Sequence, residues 1–154
     1  MAQRRIVRAH DVMPYGPAGL EGIYDSRLLV DAQGVGSQRL QVVHATLQPG
    51  CAPGEGGVHP IPYDEAYYIL RGTGRMEFDE GAEAYDVRPD TAIFIPAGTW
   101  HKITNTGTEV MEFLTLWPLS PDQEGINGVY DERLRAWGTS FRLVDSATPQ
   151  EGGR

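Results

Sequence analysis

Short runs of β-branched and aromatic residues, each ended by Gly or Pro, recur along this chain. Its 154 residues include 19 Gly and 11 Pro, which lie between the apolar runs and form no low-complexity segment. About ten short strands at 8–12-residue spacing, without a long amphipathic helix, are typical of a β-sandwich or β-barrel. The sequence therefore predicts an all-β fold with little helix.

The predicted strands occupy the ranges 4–8, 23–31, 39–48, 66–71, 75–79, 84–88, 91–95, 100–104, 109–117 and 141–144. A tight turn at Gly72-Thr73-Gly74 joins two of them as a hairpin, and one short helix is predicted at 129–137. Residues 1–147 are predicted to form a single domain, because a chain of this length fits one hydrophobic core. The polar tail 148–154 is expected to be disordered.

The composition excludes several classes of partner. A net charge of −8 argues against nucleic acid and against an anionic membrane surface, since both select for clusters of Lys and Arg. Cys51 is the single cysteine, which rules out an intrachain disulfide and fits a reducing compartment. No apolar segment follows Arg4 and Arg5, and no stretch is long enough to span a membrane. These features predict a cytoplasmic protein.

Three residues are candidate metal ligands, namely His59, Glu65 and His101. His59 lies on the loop that enters a predicted strand, Glu65 begins that strand, and His101 begins a neighbouring one, so the three side chains could converge. Two histidines and one carboxylate are the ligand set of non-haem Fe(II) sites with open positions. Zinc accepts the same set with water in a fourth position. The alternative is that the three are unrelated surface or core residues.

Four other residues are candidates for the surroundings of this site. Strand alternation places Tyr67 on the same face as Glu65, where its phenol could act as a general acid or base or donate to substrate; a packed barrel aromatic is the alternative. Tyr63 could serve as a fourth ligand or cover the site. His44 and Glu112 are candidate substrate contacts, with surface positions as the alternative for each.

Residues 59–72 resemble the first signature motif of the cupin superfamily, and residues 90–105 resemble the second. In the first motif, Glu65 is followed by Gly72 at the family's spacing. The second motif matches at every specified position from the proline on, namely Pro96, Gly98, His101 and Asn105. The resemblance implies a double-stranded β-helix barrel, a relative of the jelly roll, and a homodimer.

The sequence departs from the family pattern at two positions, of which only Ile61 affects the expected chemistry, because Asp90 changes a turn. Ile61 stands where the first motif has a second histidine, and Asp90 replaces the glycine that opens the second motif. The remaining ligand set is similar to that of 3-hydroxyanthranilate dioxygenases, whose metal is bound by two His and one Glu. That family binds its substrate carboxylate through arginines. None of the arginines between the two motif histidines can be placed beside the metal from sequence (Arg71, Arg75 and Arg88), so the resemblance does not extend to the substrate.

The sequence thus predicts a metal-dependent cupin enzyme that acts on a small organic molecule. The first hypothesis is an Fe(II) dioxygenase with the metal held by His59, Glu65 and His101; Zn, Mn and Ni are alternative metals. The second is a redox-neutral isomerase, lyase or cyclase, in which the metal polarises a carbonyl while Tyr67 moves a proton. The third is a non-catalytic cupin that binds a small molecule.

Overall fold

The computed structural model describes residues 6–12, 14–17, 19–31, 34–58, 63–118 and 141–143. Strands dominate these residues, with two short 3₁₀ helices at Ala9–Asp11 and Asp79–Gly81. The strands are β1 (Tyr15–Pro17), β2 (Tyr24–Val30), β3 (Leu40–Leu47), β4 (Glu65–Arg71), β5 (Gly74–Phe78), β6 (Glu83–Val87), β7 (Thr91–Ile95), β8 (His101–Asn105), β9 (Met111–Pro118) and β10 (Phe141–Leu143). The predicted all-β class is therefore confirmed.

The strands form two antiparallel sheets. The larger has seven strands in the order β10-β1-β2-β3-β9-β4-β7, and the smaller has three in the order β6-β5-β8. One cluster of buried apolar side chains joins the sheets, with Ile69 and Phe113 from the larger sheet and Met76 and Ile103 from the smaller. The sheets therefore pack face to face around a shared core, which is the jelly-roll arrangement that the sequence predicts.

The N-terminal region differs from the prediction. Residues 6–8, the described part of the predicted strand 4–8, form no strand, whereas Tyr15–Pro17 is a strand at a position where none is predicted. Strand β1 pairs with β10, a segment more than 120 residues later in the sequence. That pairing supplies backbone hydrogen bonds that local composition cannot predict. The other predicted strands agree with the structure to within two residues at either end.

Several predictions fall on residues that the structure does not describe. The helix at 129–137 and the tail at 148–154 are among them, and the boundary of the domain at residue 147 stays a prediction. Within the described ranges, none of the helices is long and apolar enough to cross a membrane.

Asp90 occupies a turn position whose backbone favours glycine. Its φ of 62° lies in the left-handed region, which Asp tolerates better than most residues. The Asp90 amide donates to the Ile69 carbonyl at 3.0 Å, and the Asp90 carboxylate accepts from the Tyr68 hydroxyl at 3.3 Å. Asp90 therefore performs the turn that glycine makes in the family motif and adds a contact to β4.

The phenol of Tyr68 should ionise at a higher pH than the phenol of an ordinary tyrosine. The negative charge of Asp90, followed by its hydrogen bond, raises the pKa of Tyr68 above the ordinary value of 10.0. Because the folded protein holds this proton more tightly than the unfolded chain, the free energy of unfolding should decrease as pH rises above that value. Ultraviolet titration of Asp90→Asn should show one tyrosine shifted to lower pH, and Tyr68→Phe should remove that transition. An unchanged titration in Asp90→Asn would contradict the assignment.

Gly72, at the turn between β4 and β5, has no space for a side chain. Its φ is +80°, and an added Cβ would lie 2.9 Å from the Met111 Cα. Gly72→Ala should lower the free energy of unfolding by about 2–3 kcal/mol, the sum of left-handed strain and a backbone clash. Gly98→Ala is the matched control, since Gly98 has a φ of +77° with nothing within 4 Å of an added Cβ. Equal losses for the two variants in urea unfolding would show that the clash contributes nothing.

Candidate metal centre

Glu65 and His101 bring the two sheets together at one end of the barrel. Each is the first residue of its strand, Glu65 on β4 of the larger sheet and His101 on β8 of the smaller. The His101 Nε2 lies 3.7 Å from a Glu65 carboxylate oxygen, and the two side chains are 10% and 1% exposed. A carboxylate and an imidazole are thus held side by side, almost out of contact with solvent.

The hydrogen bond to His101 Nδ1 determines which ring nitrogen carries the proton. Nδ1 lies 3.0 Å from the Thr99 carbonyl oxygen. A carbonyl only accepts, so Nδ1 donates, and in the neutral ring Nε2 is then unprotonated and directed at Glu65. Two electron-rich atoms at this distance are favourable only with a cation between them, either a metal ion or a proton on His101. Metal-bound histidines commonly have this arrangement, with the second nitrogen donating to a carbonyl.

The separation of the two atoms fits a shared metal ion. Bonds from a first-row metal to imidazole nitrogen or carboxylate oxygen are about 2.0–2.2 Å, so two ligand atoms lie at most about 4.3 Å apart. The 3.7 Å between His101 Nε2 and the Glu65 oxygen is within that limit. Among the described residues no group of three His, Cys, Asp or Glu side chains could hold a metal. His59, the third predicted ligand, lies outside the described residues.

The chain that leads to His59 is bonded to the His101 backbone. Gly57 and His101 exchange two backbone hydrogen bonds, of 3.1 and 3.0 Å. The neighbouring residues pack together as well, because a Cβ on Gly56 would lie 2.4 Å from the Trp100 ring. The absence of a side chain at Gly56 lets the indole lie against this loop. The loop that precedes the first motif is therefore fixed to the strand that begins with His101.

Tyr67 lies on the inner face with Glu65, as alternation predicts. It is 9% exposed and belongs to the core cluster. Its ring makes an edge contact with the His101 ring at 6.1 Å and a tilted contact with Phe113 at 5.3 Å. Tyr63 packs edge-on against Trp117 at 5.3 Å between ring centroids. Both tyrosines predicted to surround the site are thus packed against aromatic rings.

His44 and Glu112 are not brought together with Glu65 and His101. In β3 the buried residues are Val43, Ala45 and Leu47, so His44 points to the opposite face of the sheet. Glu112 lies on the same outer face, where its carboxylate oxygen is 3.2 Å from His44 Nε2. The two predicted substrate contacts therefore form a pair with each other on the outside of the larger sheet.

Asp64 is a positioning residue that sequence reasoning missed. Its exposed carboxylate accepts a hydrogen bond of 3.0 Å from the backbone amide of Ala97. This bond links the residue before Glu65 to the turn Pro96-Ala97-Gly98 that precedes His101. Local sequence gives no sign of this bond, because the two partners are 33 residues apart.

Asp64→Ala should loosen the link between the two motif segments. The expected loss is about 1 kcal/mol in the free energy of unfolding, the usual contribution of one hydrogen bond to a charged acceptor at the surface. Asp64→Asn keeps an acceptor oxygen and should recover most of that loss in urea unfolding. If Asp64→Asn lowers the free energy of unfolding while Asp64→Ala does not, the hydrogen bond is contradicted.

A family model and a curated protein each match part of this chain. A family model described as "Cupin domain" matches residues 43–117. An uncharacterised protein of Methanocaldococcus jannaschii is 41% identical over 51 residues, which are 33% of this chain and 39% of that protein. The matched stretch thus spans well under two thirds of that relative's length.

Solved structures share the architecture at low sequence identity. The polyketide cyclase RemF of Streptomyces resistomycificus is 24% identical with a TM-score of 0.64, covering 78% of this chain and 81% of that one. A predicted oxalate decarboxylase of Thermotoga maritima is 24% identical with a TM-score of 0.62, covering 75% and 99%. A sugar phosphate isomerase of Silicibacter pomeroyi from the cupin superfamily is 19% identical with a TM-score of 0.62, covering 75% and 76%. The family model and the shared fold together support a cupin domain at residues 43–117 of this chain.

Proposed function

We propose that the protein is a metal-dependent enzyme acting on a small organic molecule, with a divalent metal held by His59, Glu65 and His101. The observation that carries this proposal is the buried pair formed by His101 Nε2 and the Glu65 carboxylate, 3.7 Å apart. The bond from His101 Nδ1 to the Thr99 carbonyl supports it, because it orients Nε2 as a ligand. Divalent metals are also common in cupin domains.

Chain connectivity supports His59 as the third ligand. Gly57 is bonded to the His101 backbone, and His59 follows two residues later. This closeness in sequence to a residue that is bonded to His101 supports the proposal. The ligand set would then consist of two histidines and one carboxylate.

The donor set favours Fe(II), and the same donors accept Zn, Mn or Ni. A metal bound here supplies Lewis acidity and open positions for substrate. Glu65 contributes the negative charge that offsets part of the cation's charge, and His101 is held in the ligating tautomer by Thr99. Tyr67, in ring contact with His101, is positioned to hold or transfer a proton, and Phe113 packs against Tyr67 and excludes water from that side.

The first candidate activity is an Fe(II) dioxygenase, because two histidines and one carboxylate leave coordination positions open for substrate and O₂. Nitric oxide tests this without a known substrate, since it occupies the open position of such iron sites and gives a distinctive electron paramagnetic resonance signal. Wild-type protein loaded anaerobically with Fe(II) should give the signal in near-stoichiometric amount. Glu65→Gln should lose it, while Tyr67→Phe should keep it. Iron bound in stoichiometric amount without this signal would overturn the dioxygenase.

The second candidate is a redox-neutral isomerase, lyase or cyclase. The observation that favours it is the placement of the Tyr67 phenol beside His101, where a proton could be delivered to a substrate. The polyketide cyclase and the sugar phosphate isomerase of similar fold are named for reactions of these kinds. Turnover that continues under argon, and that falls in Tyr67→Phe without loss of metal, would favour this candidate over the dioxygenase.

Three further predictions accompany the proposal. We expect a small-molecule substrate, a homodimer and a cytoplasmic location, with neither nucleic acid nor membrane as a partner. Analytical ultracentrifugation of the purified protein tests the homodimer directly.

A further inference from the structure

The outer face of the larger sheet carries most of the exposed large apolar side chains. Seven such side chains are exposed in the described part of the chain. Four of them lie on this face, namely Leu40 of β3, Tyr68 and Leu70 of β4 and Phe94 of β7, the last with 62% exposure. The solvent face of an antiparallel sheet is usually polar. A contiguous apolar face of this kind therefore indicates a surface of contact with another molecule.

Strand pairing arranges the outer side chains of β3, β9, β4 and β7 in rows across the sheet. Two adjacent rows are Val42, Leu116, Ala66 and Phe94, followed by His44, Leu114, Tyr68 and Ala92. Neither row contains an Asp, Glu, Lys or Arg side chain. We call these two rows the outer apolar face.

Two opposite charges border the outer apolar face at one end. The register shift after Ile69 brings Arg71 of β4 opposite Glu112 of β9. Arg71 Nη1 lies 3.8 Å from Glu112 Oε1, and its Nε lies 3.5 Å from Glu109 Oε2. The Arg71 and Glu112 side chains are 58% and 32% exposed. Both groups can therefore meet a charge on another molecule as well as each other.

The rows are complementary to themselves under one two-fold axis. An axis parallel to the strands, between β9 and β4, places β4 on β9 of a second copy and β7 on its β3. Residues then meet partners of their own row, so the protruding Phe94 meets Val42 of the second copy and Leu116 meets its Ala66. A larger side chain thus faces a smaller one in each contact, and the contact occurs twice because the interface is symmetric.

The bordering charges match under the same axis. Arg71 of each copy faces Glu112 of the other, because the two residues lie at one level on the strands that the axis superposes. Charges of opposite sign that meet across an interface favour association and fix its register. The page of charges thus selects a second copy of this chain as the occupant of the face.

The area of the face reaches what a specific dimer requires. Four strands about 4.8 Å apart and four rows about 6.8 Å apart, from Leu40 to Arg71, cover roughly 500 Å² per copy. Two copies together would bury about 1,000 Å², the lower limit for a specific interface. Face-to-face packing with nearly aligned strands is also a common arrangement of two sheets.

We propose that two copies of this chain associate through the outer faces of β3, β9, β4 and β7, about a two-fold axis parallel to the strands. The inference rests on the proposed function for the expectation of a homodimer alone, and it requires no metal ion. An anionic membrane is a poor alternative for this face, since the chain carries a net charge of −8.

Phe94→Glu tests the surface by sedimentation velocity over a range of concentrations. Wild type should be a dimer, and the variant should dissociate at least about 100-fold more readily, because each copy would bury a carboxylate without a partner. Tyr85→Glu is the matched control, since Tyr85 is an aromatic residue with 54% exposure on the smaller sheet, and it should leave the dimer intact. Circular dichroism of both variants verifies that they fold.

An exchange of charges tests the axis. Arg71→Glu brings carboxylates together across the interface, and Glu112→Arg brings guanidinium groups together, so each variant alone should dimerise at least about tenfold more weakly than wild type. An equimolar mixture of the two should recover the dimer, because the unlike copies present opposite charges to each other. Native mass spectrometry identifies the mixed dimer by its mass.

Metal content is measured on the same samples, so that the two proposals can fail separately. Phe94→Glu should retain as much metal as wild type, because Phe94 points away from the inner face that carries Glu65. Loss of the dimer with metal retained would support the interface and leave the metal centre unaffected.

Three results would each overturn the inference: wild type that stays monomeric up to about 100 µM, Phe94→Glu that stays dimeric, or a mixture of charge variants that forms no mixed dimer. If wild type is monomeric and Phe94→Glu also lowers its Tm, the face belongs instead to residues 119–140 of the same chain. A monomer that retains metal would leave the proposed enzyme standing.

Discussion

Glu65→Gln is expected to abolish metal retention. Glutamine has the same shape as glutamate but no charge, so the variant loses a ligand that offsets the cation's charge. Even the removal of a residue that only hydrogen-bonds to a ligand costs roughly 10–100-fold in metal affinity. Metal analysis of purified protein should give about one divalent ion per chain for wild type and almost none for Glu65→Gln. In thermal unfolding, added Fe(II) or Zn(II) should raise the Tm of wild type alone, because only a native state that binds the ion is stabilised.

The same variant separates a metal site from a buried ion pair. If a proton on His101 bridges the 3.7 Å between the two side chains, Glu65→Gln leaves a buried charge and should cost about 3–5 kcal/mol without any added metal. If a metal is the bridging cation, metal-free Glu65→Gln should be within about 1 kcal/mol of metal-free wild type, since the amide is cheaper to bury than a carboxylate. Glu112→Gln is the control for metal content, because Glu112 lies on the outer face of β9.

Asn105→Ala is expected to cause the largest loss of stability. Asn105 is fully buried, and its Nδ2 donates to the carbonyls of Leu47 and Glu109 at 2.8 Å each. Its Oδ1 accepts from the Gly107 amide at 3.0 Å. Alanine leaves these backbone groups without their partner inside the protein, so the free energy of unfolding should fall by about 3–5 kcal/mol.

The comparison with Asn105→Asp tests whether the Nδ2 donor is the essential part of the Asn105 side chain. At neutral pH a carboxylate would face two carbonyl oxygens, so Asn105→Asp should be at least as destabilising as Asn105→Ala. Thr106→Ala, at the exposed neighbouring position, should stay within about 0.5 kcal/mol of wild type. Urea unfolding measures all three, and a loss below about 1 kcal/mol for Asn105→Ala would contradict the proposed role of its bonds.

The predictions that succeeded from sequence depend on local pattern. Strand alternation placed Tyr67 on the face of Glu65, and Gly72-Thr73-Gly74 marked the turn between β4 and β5 because a left-handed residue was needed there. The motif spacing predicted that Glu65 and His101 converge, and the fold brings them within 3.7 Å across two sheets, while their role as metal ligands stays a prediction. These features are fixed by a few neighbouring residues or by a resemblance in spacing.

The features that sequence did not reveal depend on partners far along the chain. Alternation shows that His44 and Ala45 face opposite ways, but only the packing of the second sheet decides that the apolar Ala45 face is the inner one. Strand β1 and the Asp64 bond to Ala97 likewise need segments that are distant in sequence. That the Thr115 hydroxyl is buried without a partner among the described residues becomes visible only once the barrel is assembled.

The pairing of Gly57 with His101 has a consequence for the order in which the protein folds. The two residues are 44 positions apart, and the loop between them contains β4 to β7. The entropy of closing such a loop opposes the pairing until the sheets have already formed. The segments that carry the proposed ligands should therefore meet late in folding. If the proposed metal site is correct, metal uptake in a refolding experiment would report the appearance of the finished barrel.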